Sequence, residues 1–286
     1  MRFLPLLACV LIAVIGAGCG GGRSTVAPTP AADGAAPAGT LYDRVMAAKT
    51  LRVGVKADTP PFGMRRGEAW TGFDLDIAHA VARQLGVDIE LVAVTSRDRD
   101  DQLVAGTVDI VIASYTITRF REREVDFTIP YFADGQALLV PVDSPVGSYL
   151  DLAGKRVGTV KGSTSSFYLK QVAPDAKPQV VADFDALIAG LRAGTVDAIT
   201  SDRLILLGLT RLAPDREKFR LAGDPFTVEP YGIALPQDQS RLRDALNAAL
   251  MAIWEDGTWK TIADTWFGPG ATYAGDVSFT MQLVPK

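Results

Sequence analysis

Apolar residues along this chain fall into two alternating patterns. Leu75, Ala78, Val81, Ala82 and Leu85 recur at helical spacing over residues 72–85, and Gly86 ends that run. Residues 51–55 and 89–94 are short, nearly continuous apolar runs, the pattern of buried strands. A short helix over 41–49, a helix over 99–105 and a strand over 109–113 complete the first part, which reads β-α-β-α-β. The same order returns later as strand 156–160, helix 165–172, strand 179–181, helix 184–193 and strand 196–200, with a helix over 203–212 behind them.

The repetition extends to individual residues. Ala105-Gly106-Thr107-Val108-Asp109 recurs as Ala193-Gly194-Thr195-Val196-Asp197, and Arg52-Val53-Gly54-Val55-Lys56 has a counterpart in Arg156-Val157-Gly158-Thr159-Val160-Lys161. Each pentapeptide runs into an apolar strand that ends in hydroxyls or a carboxylate. Two α/β lobes therefore present polar side chains at the carboxyl ends of their strands, where open sheets of this class bind ligands. Residues 136–142 carry the chain out of the first lobe. A strand over 227–235 returns it, and helices over 239–255 and 258–266 finish that lobe. The expected division is a discontinuous first lobe over 41–141 and 229–275, a second lobe over 142–228 and a tail over 276–286, with hinge-like crossings near Pro141 and Val228.

The amino terminus has another character. Arg2 precedes an apolar run over 3–15, too short for a stable span, and Gly16-Ala17-Gly18-Cys19 follows, which reads as a secretory leader over 1–18. The segment before Cys19 resembles a lipoprotein cleavage site, with Gly16 where that motif usually has Leu, so lipid attachment at Cys19 is expected. Residues 19–40 are rich in Gly, Ala, Pro, Ser and Thr, the composition of a tether with a reach of roughly 25 Å. The expected place is the extracytoplasmic face of the cell membrane. Cys9 leaves with the leader, so no disulfide forms within the mature chain and the fold rests on its core. Loss of Arg2 turns the net charge from −4 to −5, a balance that argues against nucleic acid as a partner.

With two lobes and two crossings in view, residues 41–270 resemble the extracellular solute-binding proteins of family 3, receptors of polar amino acids for ABC importers. The resemblance rests on Gly72-Phe73-Asp74-Leu75-Asp76, supported by Ser114-Tyr115-Thr116-Ile117-Thr118, Arg121, Val125-Asp126-Phe127, Pro130-Tyr131, Lys161-Gly162-Ser163-Thr164 and Pro230-Tyr231-Gly232-Ile233-Ala234. It implies a two-lobed periplasmic-binding-protein type II fold with two crossing hinge strands. It further implies that Arg121 clamps a ligand α-carboxylate, with Ser114 and Thr116 beside it, and that Asp202 receives the α-ammonium. Lys56 and Arg99 match basic residues of members that take glutamate or aspartate, so an acidic amino acid is the expected ligand and an importer permease the expected partner. A monomer without cofactor or metal is expected.

The residues alone add further readings. Ser114 and Thr116 alternate along an extended segment, so both hydroxyls can face one cleft. Thr164 and Ser165 open a helix whose free N-H groups can meet a carboxylate, and Lys161 stands just before them. Asp74 and Asp76 sit at a helix start, where carboxylates cap free N-H groups. Asp202 could equally cap the helix that follows it, and Arg99 lies within Arg97-Asp98-Arg99-Asp100-Asp101, which could equally be a solvated charge run. Lys161-Gly162-Ser163-Thr164 has the wrong order for a phosphate-binding loop. His79 is the chain's one histidine, with no cysteine near it, and reads as a rim or surface residue. No catalytic triad can be assembled, so the expectation is a receptor. A sensor signalling to a membrane partner and a dehydratase-like enzyme of the same fold are the rivals.

Overall fold

The computed structural model describes residues 39–275, 277 and 279–281. The leader, Cys19 and almost all of the tether lie outside the described residues. Helix α1 (Leu41–Ala48) begins at a reciprocal cap in which Thr40 and Asp43 exchange hydrogen bonds. Strand β1 (Thr50–Lys56) follows, then a small antiparallel sheet of β2 (Asp58–Thr59), β3 (Gly63–Arg66) and β4 (Ala69–Thr71), then α2 (Phe73–Leu85), β5 (Asp88–Val94), α3 (Arg99–Val104), β6 (Ile110–Val111) and β7 (Val125–Phe127). Strands β8 (Phe132–Asp134) and β9 (Gln136–Pro141) lead into the second lobe, which holds β10 (Arg156–Val160), α4 (Ser165–Val172), β11 (Lys177–Val181), α5 (Phe184–Arg192), β12 (Ala198–Asp202), α6 (Arg203–Leu212) and β13 (Phe219–Ala222). The chain returns through β14 (Glu229–Tyr231) to β15 (Ala234–Pro236), α7 (Ser240–Glu255) and α8 (Thr258–Phe267).

Each lobe is built on a five-stranded sheet of the same plan, ordered β5-β1-β6-β15-β7 in the first and β11-β10-β12-β9-β13 in the second. The three strands of each β-α-β-α-β unit are parallel, and the last two in each order run antiparallel to their neighbours. The chain crosses between lobes at β8 and β14, which pair antiparallel with Phe132 opposite Tyr231. The first crossing thus falls before Gly135, not near Pro141. Residues 136–141 belong to the second sheet because their backbone pairs with β12 and β13. The expected strand over 227–235 is broken into β14 and β15, so the returning chain can leave one small sheet and enter another.

The repeated sequence landmarks form one device twice. The Asp109 carboxylate accepts from the backbone and guanidinium of Arg52 at the start of β1, at 2.9 and 2.5 Å. Asp197 does the same for Arg156 at the start of β10, at 2.8 and 2.6 Å. Each clamp fixes the amino ends of the central strands, opposite the ends that carry the site. Around the crossing, Phe62, Phe73, Phe132, Tyr231 and Phe267 pack edge to face or tilted within 6.0 Å and form an aromatic block.

Candidate functional site

In both sheets the first and third strands of the repeat lie side by side, and the crevice beyond their carboxyl ends is the natural site. Lys56 ends β1, and Ser114 and Thr116 follow β6. Facing them, Ser163, Thr164 and Ser165 follow β10, and Ser201 and Asp202 end β12. With Ser96, Arg99, Arg121, Gln136, Phe184 and Ile205, these residues line a narrow space between the lobes.

The first lobe supplies three cations. Lys56, Arg99 and Arg121 are 2%, 3% and 7% exposed. Lys56 Nζ donates to Ser96 Oγ at 2.6 Å and to Thr59 Oγ1 at 3.3 Å, and it lies 5.0 Å from the ring centroid of Phe184, which comes from the second lobe. Burial draws its pKa down to about 8, assisted by Arg99 and opposed by Asp58, Asp74 and Asp202. The guanidinium groups of Arg99 and Arg121 lie 3.7 and 4.6 Å from the ring centroid of Tyr115, and Arg99 Nη1 donates to Ala113 O at 2.9 Å. Arg99 is therefore buried in the cavity wall, with Asp100 Oδ1 3.9 Å from its Nε and accepting from Tyr115 OH. Arg121 Nη1 donates to Thr116 O at 2.8 Å, and its Nη2 reaches Gly162 O of the second lobe at 3.0 Å. Burial, with Arg99 close by, pushes its pKa down to about 10. Arg99 Nε and Ser165 Oγ, both buried, have no hydrogen-bond partner among the described residues.

The motif at the start of α2 positions this wall. Gly72 has φ 151°, and a Cβ there would stand 2.0 Å from Phe62 O, so the close approach needs glycine. Phe73 and Leu75 are core residues. Asp74 is not a cap. Its carboxylate, held at a pKa of about 6 by burial against the hydrogen bonds it receives, accepts from Ser114 N at 2.7 Å, Ser114 Oγ at 3.1 Å and Tyr131 OH at 2.8 Å. Those bonds hold Ser114 at φ 45°, a backbone shape that a serine adopts only when its surroundings impose it. The Asp76 side chain likewise turns away from the helix start and accepts from Trp266 Nε1 at 2.7 Å.

The second lobe meets this wall through the crossing strand. Glu229 on β14, fully buried, accepts from Thr116 Oγ1 at 2.8 Å and Thr164 Oγ1 at 2.5 Å on one oxygen, and from Gln136 Nε2 at 2.6 Å on the other. Gln136 Nε2 also donates to Asp202 Oδ1 at 2.5 Å, and Tyr231 OH donates to Asp202 Oδ2. Burial, then repulsion from Glu229 and Asp134, holds Asp202 well above the usual carboxylate range. Asp202 does not cap α6 with its side chain; Asp134 accepts from Leu204 N at 2.8 Å instead. Two close approaches mark the contact between lobes. A Cβ on Gly162 would meet Ser96 O at 2.2 Å, and one on Gly208 would meet Pro60 O at 2.2 Å.

Of the expected site residues, Lys56, Arg99, Ser114, Thr116, Arg121, Thr164, Ser165 and Asp202 line one cavity. Lys161 does not: it is exposed and lies outside that lining. The hydroxyl groups of Ser114 and Thr116, both in the lining, donate to Asp74 and Glu229. His79 is exposed on α2. Sequence reasoning missed Ser96, Gln136, Ser163, Phe184, Ser201 and Ile205 in the lining, and Glu229 behind it. For Glu229 a signal existed, since Thr227, Glu229 and Tyr231 alternate on one face of an extended segment.

Two α/β lobes joined by a pair of crossing strands around a polar interlobe cavity define a solute receptor by fold and site. Residues 51–269 match the family described as bacterial extracellular solute-binding proteins, family 3, and the chain belongs to that family. It is 38% identical over 219 residues to the ABC transporter glutamine-binding protein GlnH of Bacillus subtilis (strain 168), covering 74% of this chain and 79% of that one. It is 32% identical over 250 residues to the glutamate-binding protein GluB of Corynebacterium glutamicum, covering 80% and 84%. Among solved structures, an ancestral arginine-binding protein bound to arginine superposes with a TM-score of 0.73 at 38% identity, covering 77% of this chain and 99% of that one.

Proposed function

We propose that this protein captures an acidic amino acid, glutamate or aspartate, between its lobes and delivers it to an ABC importer. The observation that carries the reading is the charge of the cavity lining, three buried cations against one carboxylate. An α-carboxylate on Arg121 and an α-ammonium at Asp202 satisfy one of each sign. Lys56 and Arg99 are then left for a second carboxylate; Arg99 Nε makes no hydrogen bond among the described residues and lies 3.9 Å from Asp100 Oδ1. Asp74 and Glu229 stand behind the lining with their oxygens already receiving protein donors. A neutral side chain would leave these buried cations with no ligand charge, Lys56 under the influence of Asp58, Asp74 and Asp202 and Arg99 beside the half-exposed Asp100, a weaker arrangement than one with a second carboxylate in the cavity.

The ligand bridges both lobes and so favours the closed arrangement. Moving an equilibrium from 1:99 to 99:1 requires a preference of about 5.5 kcal/mol for the closed state. Cys19 is assigned as the lipid attachment point on sequence grounds, which places the receptor at the outer membrane face beside its permease. Calorimetric titration with the twenty amino acids tests the ligand. Glutamate or aspartate should bind about tenfold or more tightly than glutamine, and a glutamine or arginine preference would overturn the acidic reading. For the anchor, Cys19→Ser should move the protein from the membrane fraction to the soluble fraction.

A further inference from the structure

We infer that Glu229, which does not line the cavity, sets the hydrogen-bond polarity of the two threonines that do, and so makes binding depend on a ligand ammonium group. This deepens the amino acid reading above and rests on it. A carboxylate without its proton can only accept hydrogen bonds. Glu229 accepts from Thr116 of the first lobe and Thr164 of the second on the same oxygen, at 2.8 and 2.5 Å. Its other oxygen is held by Gln136 Nε2 at 2.6 Å and Thr227 Oγ1 at 3.3 Å. Gln136 cannot turn its amide over, because its oxygen accepts from Thr200 Oγ1 at 3.2 Å while its nitrogen serves both Glu229 and Asp202.

Each threonine hydroxyl has one proton, and both protons point at Glu229. Thr116 and Thr164 therefore turn only lone pairs toward the cavity, next to Asp202. That corner can receive a donor such as an ammonium group and offers nothing to a ligand oxygen. Glu229 sits on crossing strand β14 and joins a hydroxyl from each lobe, so the acceptor corner is assembled by closure itself. Glu229 acts as a positioning residue, through the threonines.

Glu229→Gln keeps the shape but puts an NH₂ where an oxygen was, which frees a threonine proton to point into the cavity. The test titrates wild type and Glu229→Gln with glutamate and with glutarate, its analogue lacking the amino group. Wild type should bind glutamate and discriminate strongly against glutarate. In Glu229→Gln, glutamate should weaken about tenfold to a hundredfold, the size of a hydrogen bond to a charged group, while glutarate does not weaken. Equal losses for both ligands, or none, would overturn the inference. If Glu229→Gln does not fold, as read by its thermal unfolding, Thr164→Val decides: loss for glutamate alone supports the inference and equal loss overturns it. A wild type that prefers another amino acid overturns the acidic reading only, and the same comparison then runs with that amino acid and its des-amino analogue. Should wild type bind no amino acid, both fall.

Discussion

Lys56, Arg99 and Arg121 reach the cavity from the first lobe, whereas the second contributes Ser163, Thr164, Ser165, Ser201 and Asp202. The cations are fixed: two are stacked on the buried ring of Tyr115, and the third is bonded to Ser96. Removing a charge from water costs several kcal/mol, so a receptor that opens and closes gains by keeping its cations set in one wall. Hydroxyls lose much less on leaving water. They suit the wall that has to come and go. The same asymmetry appears in the strand-start clamps: Asp109 is buried and bridged by both Arg52 and Arg44, while Asp197 pairs with Arg156 and is about one-third exposed. Burial pushes Asp109 up, but the hydrogen bonds from Arg52 and Arg44 hold it below its ordinary value.

The largest effect is expected from the fixed wall. Arg121→Ala should cost about 3 to 5 kcal/mol of binding for every amino acid, since it strands a desolvated carboxylate. Titration of a folded variant that stays within tenfold of wild type would remove Arg121 as the clamp. Next come the two clamps, compared by urea unfolding. Asp109→Ala should cost about 2 to 3 kcal/mol of stability because it leaves a backbone N-H and two guanidinium groups unpaired, and Asp197→Ala about 1 kcal/mol or less because its pair is solvent-screened. Equal losses would mean that the lobes use their repeated device alike.

Closure itself can be hindered without touching ligand chemistry. Gly208→Ala places a methyl group against Pro60 O, and overpacking of this kind costs about 1 to 3 kcal/mol. If opening the lobes breaks this contact, affinity should fall by roughly fivefold to a hundredfold while thermal unfolding of the ligand-free protein changes little. A normal affinity would show that the backbone yields there.

The smallest effect is a fraction of a proton. Lys56 has a pKa of about 8, below the 10.5 of a free lysine, and a carboxylate placed beside it would raise that value again. At pH 8 to 9 glutamate binding should therefore take up more protons than glutamine binding, and glutamate affinity should fall as pH rises through that window. Asp202 meets the same ammonium in both cases, so the difference isolates Lys56. Calorimetry in two buffers of different ionisation enthalpy reads it, and identical uptake for the two ligands would place no carboxylate near Lys56.

Much of this architecture was legible in the sequence. Helical spacing from Leu75 to Leu85, apolar runs at the strands and the duplicated pentapeptides located both sheets, because local periodicity and burial act on the same residues. What escaped was fixed by tertiary contact. Arg99 sits in a run of charges that looks solvated and is buried only because Tyr115 folds against it. Asp74 has the position of a cap, yet pairs with Ser114, forty residues along the chain. Lys161 stands next to site residues, but the turn at Gly162 leaves it facing outward. Glu229 and Gln136 meet only because β8 and β14 cross side by side, and no local pattern states that pairing.

The central claim is that the first lobe reads a second carboxylate, and Lys56→Gln tests it most directly in titrations with glutamate and glutamine. Removing a positive partner from the side chain should cost glutamate about 1.5 to 3 kcal/mol, one to two decades of affinity, and cost glutamine much less. The variant joined to Arg99→Gln should widen that gap if both groups hold one carboxylate. Equal losses for glutamate and glutamine in Lys56→Gln would contradict the claim and return the protein to a receptor of polar amino acids without preference for charge.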